Sequence, residues 1–348
     1  MSENNIHDAV VIGGGQSGLA AAWALRKRGL APIVLEAGTE PVGSWPHYYD
    51  SLTLFSPARY SCLPGMAFPG DPEHYPHRDE VVDYLRAYAK TLDAEIRTTT
   101  RATAVHHRDE LFTVVTDDGE DISTRRVIAA TGGFGRPYLP DLPGLGTFTG
   151  RTLHASDYRE PAALAGQRVV VVGAGNSAVQ IAVELAEHAH VSLTTRNPVK
   201  YVRQRPLGRD MHFWFKVTGI DTAPIGPWIG DPPTAPVFDT GRYRNAIDLG
   251  RPDHRPMFTS IEGDEIVWAD GNRENLDVLL LATGYRPDLD YLAPLGALDD
   301  SAHPRQRRGL STIHPGLGYV GLEWQRSLSS ASLRGVGADA TYLAKRLP

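Results

Sequence analysis

The 348-residue sequence predicts an α/β protein of two Rossmann-like halves, one inserted into the other. Three observations predict it. A glycine fingerprint in a strand–turn–helix setting occurs twice. Each copy is followed by a hairpin pattern and then by an apolar run ending in Ala-Thr-Gly. No low-complexity run accompanies the 35 glycines and 26 prolines, which therefore read as turns and close backbone approaches.

The first copy is DAVVIGGGQSGLAAAWALRKRGLAPIVLE, residues 8–36. A short apolar strand runs into Gly13-x-Gly15-x-x-Gly18, and a helix follows with Leu19, Ala22, Trp23 and Leu25 on one side. Gly29 suits the helix end, and a second strand from Ile33 to Leu35 ends at Glu36. This is the setting of a dinucleotide-binding βαβ unit. The first glycine makes the turn, the second admits a diphosphate, and the third lets helix pack on strand. The helix N-terminus offers free N–H groups and a positive dipole to the diphosphate. A carboxylate at Glu36 can accept both hydroxyls of an adenosine ribose.

The second copy, RVVVVGAGNSAVQIAVELAEHAHVSLTTR, occupies residues 168–196, with Gly173-x-Gly175-x-x-Ala178 and a second strand ending at Arg196. Gly13 to Glu36 spans 23 positions, and so does Gly173 to Arg196. The residue at that place is thus acidic in one copy and basic in the other. A carboxylate there favours an unmodified ribose and an arginine a 2′-phosphate, so the second nucleotide reads as NADPH in preference to NADH.

RRVIAATGG (125–133) and DVLLLATGYRPD (277–288) end in Thr131-Gly132 and Thr283-Gly284, small residues that let backbone pass close to a cofactor. The first is preceded by a hairpin with Asp118-Gly119 at its turn, the second by a hairpin pattern within 257–276. The C-terminal piece reads as strand, turn and helix that return to the first half. Expected domains are 1–150 with 285–348, and 151–284. The chain crosses between them through the Pro/Gly-rich stretch near 134–165, which holds FTGRTLHASDY, Phe148 to Tyr158.

Composition narrows the function. A net charge of −6 argues against nucleic acid or an anionic membrane as the main partner. The N-terminus has no basic region followed by an apolar stretch, and the longest apolar runs are strand-sized, so the expected location is the cytoplasm. Cys62 is the only cysteine, which removes redox disulfides and thiolate metal sites within the chain. The 13 histidines form no HxH or HxxxH cluster, and no metal is expected. A homo-oligomer is left open.

The ordered set GGGQSG, Gly43-Ser44-Trp45, ATGGFGRPYLPDLPG, FTGRTLHASDY, GAGNSAVQ and ATGYRPD resembles the class B flavin-dependent monooxygenases over nearly the whole chain. Phe148-x-Gly150-x-x-x-His154-x-x-x-Tyr158 matches the identifying motif of the flavin-containing and N-hydroxylating branch; Baeyer–Villiger enzymes carry tryptophan where Tyr158 stands. SLTLFSPARYSCLPG and RQRPLGRDMHFWF are similar to small bacterial members, some of which are associated with organoarsenical oxidation. The resemblance implies FAD on the Glu36 unit and NADPH on the Arg196 unit. It also implies a C4a-(hydro)peroxyflavin that gives one oxygen atom to a soft nucleophile (nitrogen, sulfur or arsenic). A small-molecule substrate and O2 are the partners that the resemblance implies. Ketone oxidation of the Baeyer–Villiger type, electron transfer without oxygen insertion, and a non-catalytic dinucleotide-binding role are the alternatives.

By resemblance, Gly13, Gly15, Ser17, Gly18, Glu36, Ser44, Trp45, Thr131, Gly132, Gly321 and Leu322 would hold FAD, with Val105 offering backbone to adenine. Gly173, Gly175, Asn176, Ser177, Ala178, Arg196, Thr283 and Gly284 would hold NADPH, Arg203 being a weaker candidate for the 2′-phosphate. Where family members place an asparagine beside the flavin, this chain has Phe55; Phe55, Ser56 and His154 are the candidates nearest the chemistry. The aromatic stretches 44–60 and 210–217 are candidate pocket walls. His74 and His77, before a surface-helix pattern, read as exposed.

Overall fold

The computed structural model describes residues 6–229 and 235–348; the start of the N-terminal segment read above for a leader lies outside them. Two separate sheets organise the chain. The first has seven strands in the spatial order 306–307, 310–311, 317–319, 127–129, 9–12, 32–35, 95–97. Its five central and distal members, Leu317–Tyr319 through Glu95–Arg97, run parallel. The second has five strands, all parallel, in the order 253–256, 190–195, 168–172, 278–281, 151–154.

Their central strands are apolar at every position because both faces are covered. In Ala9–Ile12, Ala9 and Val11 pack on one side while Val10 and Ile12 face the other. Val169 and Val171 against Val170 and Val172 divide the second sheet in the same way. All eight side chains are buried, each contributing about 1–3 kcal/mol by removal from water.

The C-terminal piece returns as expected. Leu317–Tyr319 pairs in parallel with Val127–Ala129, and the helix Leu333–Ala344 lays Leu333, Val336 and Leu343 against Leu19 and Leu25 of the helix Gln16–Lys27. The first hairpin is a three-strand antiparallel meander, 102–108, 111–116 and 121–124, with Gly119 at φ +87° in its second turn. The second is likewise three-stranded, 260–262, 265–267 and 273–275.

Two expectations need correction. The helix Arg78–Thr91 is more than a surface element: Val81, Tyr84, Leu85 and Tyr88 sink into the core, with Tyr84 Oη donating to the Met66 carbonyl at 2.8 Å. His74 and His77 are half-buried, because Glu80 bonds the His74 ring at 3.0 Å and the His77 backbone N–H at 2.8 Å to start that helix. Among the described residues, no helix is long and apolar enough to cross a membrane.

Candidate functional site

The two glycine loops show why glycine stands where it does. At Gly13, φ is +106° and a Cβ would lie 2.7 Å from the Ala130 carbonyl oxygen; at Gly173, φ is +149° and a Cβ would lie 2.3 Å from that of Ala282. Ala130 and Ala282 are the alanines of the two Ala-Thr-Gly runs. Each donates its N–H to the strand that feeds its own loop, Ala130 to Ile12 O and Ala282 to Val172 O, both at 2.8 Å. Glycine is thus needed at positions 13 and 173, where the two backbones touch. Gly18 is equally constrained, since a Cβ there would fall 1.7 Å from Gly13 O.

Both helices begin on an uncapped glycine. Gly15 precedes Gln16–Lys27 and Gly175 precedes Asn176–Leu185, neither with a side-chain cap nor an acidic residue in the first turn. Free N–H groups at a helix start form a ready anion cradle. Beside Gly175 the space is open, with no protein atom within 4 Å of a built Cβ. Ala178 is fully buried beneath that loop.

Glu36 ends the strand Pro32–Leu35 and is only 8% exposed. Its carboxylate is held from two sides: Gly14 N–H donates to Oε2 and Gly38 N–H to Oε1, each at 2.7 Å. Two acceptor positions remain on a carboxylate so held. Arg196 at the equivalent end of His190–Thr195 is exposed and takes part in no hydrogen bond or ion pair among the described residues. Arg203 is likewise exposed on Tyr201–Arg203.

Other positions converge on the first loop. A Cβ on Gly321, at φ +94°, would meet Ser17 Oγ at 2.0 Å and Gly132 Cα at 3.7 Å, so these three residues adjoin. Trp45 Nε1 donates to Gln16 Oε1 at 3.1 Å, and Gln16 Nε2 donates to Ala331 O at 2.7 Å. Gln16, which sequence reasoning passed over, therefore ties Trp45 to the loop before the C-terminal helix; only its place inside the fingerprint could have flagged it. Ser44 Oγ lies 3.2 Å from Tyr48 Oη. Leu322 is buried, and its N–H donates to Gln325 Oε1 at 3.3 Å. The Val105 side chain is core, on a meander strand paired opposite Val114.

Several other candidates have their side chains engaged by protein. Thr131 Oγ1 donates to Asp288 O at 3.2 Å, and Thr283 Oγ1 donates to Tyr138 O, so each holds the segment just beyond one of the two crossing strands. Those crossings pair antiparallel, Arg136–Pro137 with Tyr285–Arg286. Gly284 turns at φ +88°. Asn176 reaches Pro236 O at 3.3 Å and receives Phe238 N–H at 3.4 Å, while Ser177 is half-buried in the same first turn. Ser56 Oγ bonds Ser61 Oγ at 2.8 Å.

In the 148–158 stretch, His154 is 3% exposed with both ring nitrogens occupied. Nε2–H donates to Gly284 O at 3.0 Å, and Nδ1 accepts the Ser156 N–H at 3.1 Å. Burial pushes its pKa below the ordinary imidazole value. Gly150 has no room for a Cβ, which would sit 2.6 Å from Asp277 O. Tyr158 Oη donates to Glu184 Oε2 at 2.9 Å on the second loop's helix, and its ring leans on Tyr49 at 6.1 Å.

Tyr49, from the first half, is buried in the second half's core, and Asp50 N–H donates to Arg159 O at 2.9 Å. Phe55 also bridges the halves: its ring stacks on Phe238 at 5.1 Å and 6° between planes, and Gln204 Nε2 donates to its carbonyl at 2.9 Å.

Two glycine cradles on parallel strands, a clamped carboxylate at one and a free guanidinium at the other, define an oxidoreductase that works with dinucleotide cofactors. The pyridine nucleotide-disulphide oxidoreductase pattern matches residues 10–209, and the chain belongs to that family. Its relatives include flavin-dependent monooxygenases, and members of this group use FAD and NADPH. The solved flavin-containing monooxygenase of Stenotrophomonas maltophilia is 31% identical, with TM-score 0.86 over 98% of this chain and 97% of that one. An uncharacterized CzcO-like oxidoreductase of Geobacillus kaustophilus is 35% identical over 97% of both chains. The indole-3-pyruvate monooxygenase YUCCA1 of Oryza sativa subsp. japonica is 30% identical over 99% of this chain and 92% of its own.

Proposed function

We propose that this protein is an FAD- and NADPH-dependent monooxygenase that transfers one atom of O2 to a nitrogen, sulfur or arsenic atom of a small molecule. FAD would lie on the unit formed by 1–150 and 285–348, and NADPH on 151–284. The observation that carries the reading is the charge opposition at matched strand ends, Glu36 clamped by two N–H groups and Arg196 unpartnered. A 2′-phosphate fits a free guanidinium and not a held carboxylate.

The cradles fit the cofactors: only glycine can stand at Gly13 and Gly18, and the space at Gly175 is open to a diphosphate. Bound FAD supplies the hydride acceptance and the oxygen activation. The chain's own residues bind, orient and exclude water. Glu36 would accept the adenosine ribose hydroxyls, and the helix beginning at Gln16 would face the diphosphate. Trp45, through Gln16, would fix the wall beside the flavin. With both nitrogens of His154 engaged, that residue holds the 278–284 run in place and moves no proton.

A single cysteine disfavours a disulfide reductase, since a redox pair cannot form within the chain. A second reading, oxygenation at a carbonyl, is favoured by the rice relative, whose name gives a 2-oxo acid as substrate. Both are tested on purified holoenzyme by following NADPH consumption, O2 uptake and product mass against amines, thioethers, trivalent arsenicals, ketones and 2-oxo acids. Heteroatom oxygenation with NADPH favoured over NADH is expected. Uptake of O2 with no oxygen in any product overturns the monooxygenase reading.

A further inference from the structure

The helix Met211–Thr218 has two faces with opposite surroundings. His212 and Phe215 turn inward, where both rings meet Phe238 of the second half, at 5.3 and 6.3 Å. His212 also lies against Phe55 and Tyr60 of the first half, at 5.9 and 6.2 Å. At about 3.6 residues per turn, Phe213, Trp214 and Val217 fall on the other side. That outward face is continuous with the turn before the helix. Trp214 Nε1 donates to Pro206 O at 3.2 Å, and the Phe213 and Trp214 rings meet edge-on at 5.2 Å. Leu207, next in that turn, stands at φ +52° and is 87% exposed. Bulky side chains seldom adopt that backbone conformation, and here the fold gives this one no packing in return.

Val217 is 65% exposed, and Ile220, Ile225 and Trp228 continue the apolar run along the chain. Among the described residues, these three with Leu207 and Val217 account for half of the exposed large hydrophobic side chains. Such concentration in one stretch marks a contact surface.

The charges of the same stretch are one-sided. Between 203 and 229 the exposed charged side chains are Arg203, Arg205, Arg209 and Lys216. The acidic residues there, Asp210 and Asp221, are buried and engaged. Asp210 caps the helix and accepts from His212 Nδ1 at 2.8 Å, and Asp221 accepts from Arg334 Nε at 3.0 Å. Glu73, from the first half, lies 3.6 Å from Arg205 but is shared with Arg59 at 2.9 Å. Arg209 lies over the Phe213 ring at 5.4 Å and Arg308 over Trp228 at 5.5 Å, so cations border the apolar side chains at both ends of the stretch. The net charge of −6 is a sum over the whole chain. Attraction to a charged surface is local, fading within about 8–10 Å at physiological salt.

We propose that this face docks the protein on an anionic lipid bilayer. Leu207, Val217, Ile220 and Trp228 enter the boundary between headgroups and acyl chains, and Arg205, Arg209 and Lys216 meet lipid phosphates. Apolar side chains bordered by cations suit that interface, and an indole suits its headgroup level. Charge decides against a second copy, since a two-fold contact through this face would set the cations of one copy against those of the other. Protrusion decides against a folded acidic partner: Leu207 and Trp228 stand out from the surface, and a fluid interface receives them without a matching pocket. Among the described residues no helix is long and apolar enough to cross the bilayer, so the contact is peripheral. Docking is a binding property and does not rest on the monooxygenase reading.

The test floats purified holoenzyme with vesicles of equal parts phosphatidylglycerol and phosphatidylcholine, and with vesicles of phosphatidylcholine alone, at low and at half-molar salt. Binding to the anionic vesicles is expected to be about tenfold tighter or more than to the neutral ones, and to fall at high salt. Lys216→Gln should weaken it about fivefold, the worth of one cation at such a surface, and Leu207→Ser about tenfold through lost apolar burial. Both side chains are exposed, so the melting temperatures of the variants should stay within about 2 °C of the native value. A further readout needs no variant: hydrogen exchange of the native enzyme should slow within 205–228 on adding the anionic vesicles.

Failure to bind the anionic vesicles, equal binding to the neutral ones, binding undiminished in both variants, or protection confined to other segments overturns the proposal. So does a dimer that shields the same segment without lipid, which makes a second copy the occupant. Binding to polyglutamate as tight as to vesicles and indifferent to Leu207→Ser also overturns it, in favour of an acidic protein. Vesicle binding by an enzyme that inserts no oxygen leaves this proposal standing and removes the monooxygenase reading. Oxygen insertion without vesicle binding does the reverse.

Discussion

Gly175→Ala separates what the second fingerprint does for folding from what it does for binding. The backbone at Gly175 is extended, φ −90° and ψ −176°, a conformation alanine adopts without strain. No protein atom lies within 4 Å of the added methyl. Folding stability in the absence of nucleotide should therefore stay within about 1 kcal/mol, the narrowed unfolded ensemble being offset by alanine's poorer fit at this helix N-cap. Binding is another matter. If a diphosphate approaches this backbone, the methyl occupies the contact distance, and overpacking of that kind costs about 1–3 kcal/mol, or roughly 5-fold to 150-fold in affinity. The assay pairs thermal denaturation without nucleotide with an NADPH titration, FAD loading serving as an internal control that should not change. A marked fall in melting temperature without nucleotide would show that the position is packed. Unchanged NADPH affinity would show that the loop is not the diphosphate site, and either result refutes the reasoning.

Arg196→Gln should raise the KM for NADPH about 10-fold to 100-fold while leaving NADH and kcat within twofold, because only the 2′-phosphate loses a charge-assisted partner; parallel losses for both nucleotides in steady-state kinetics would refute the assignment. Gly18→Ala drives a Cβ to 1.7 Å from Gly13 O and should cost 2 kcal/mol or more with loss of bound flavin, whereas Ala178→Gly at the matched position should cost about 1 kcal/mol as a helix glycine; denaturation and flavin absorbance report both. Stability should fall on acidification. His154, His212 and His254 all have pKa values depressed by burial, so below about pH 6.5 the unfolded chain takes up protons that the folded chain refuses. Their contribution is fully present above that pH and is lost as pH falls toward the folded values. A melting temperature that stays flat between pH 7.5 and pH 5 would contradict this.

The glycine loops were legible because the signal is local: strand, turn, helix and terminal charge lie within thirty residues. The Ala-Thr-Gly runs were legible as repeats but not for their cause. Their alanine carbonyls abut Gly13 and Gly173, which is why glycine stands at those two positions, and their threonines hold the segments just beyond the crossing strands. Neither fact has a local signature. Gln16 escaped notice because its partner Ala331 is 315 positions away. The stretch 210–217 could be marked as aromatic from sequence, yet the pairing of His212 with rings from 55, 60 and 238 depends on the two halves meeting.

FTGRTLHASDY shows what such a motif is for. Arg151–His154 is the edge strand of the second sheet, paired in parallel with Val278–Leu281. Gly150 is excluded from bearing a side chain, His154 spends one nitrogen on Gly284 and the other on Ser156, and Tyr158 is bonded to Glu184. None of these groups is left free to take part in a reaction. What they fix is the placement of the 278–284 run and the Asn176–Leu185 helix, the two elements whose ends flank the second cradle, against Tyr49 of the first half. A shift of either element would displace a nicotinamide from its partner, and a misplacement on the order of 1 Å can cost about 100-fold in rate. On the proposed function, the residues of this stretch hold the elements between which a hydride would pass, and the chemistry is left to the cofactors.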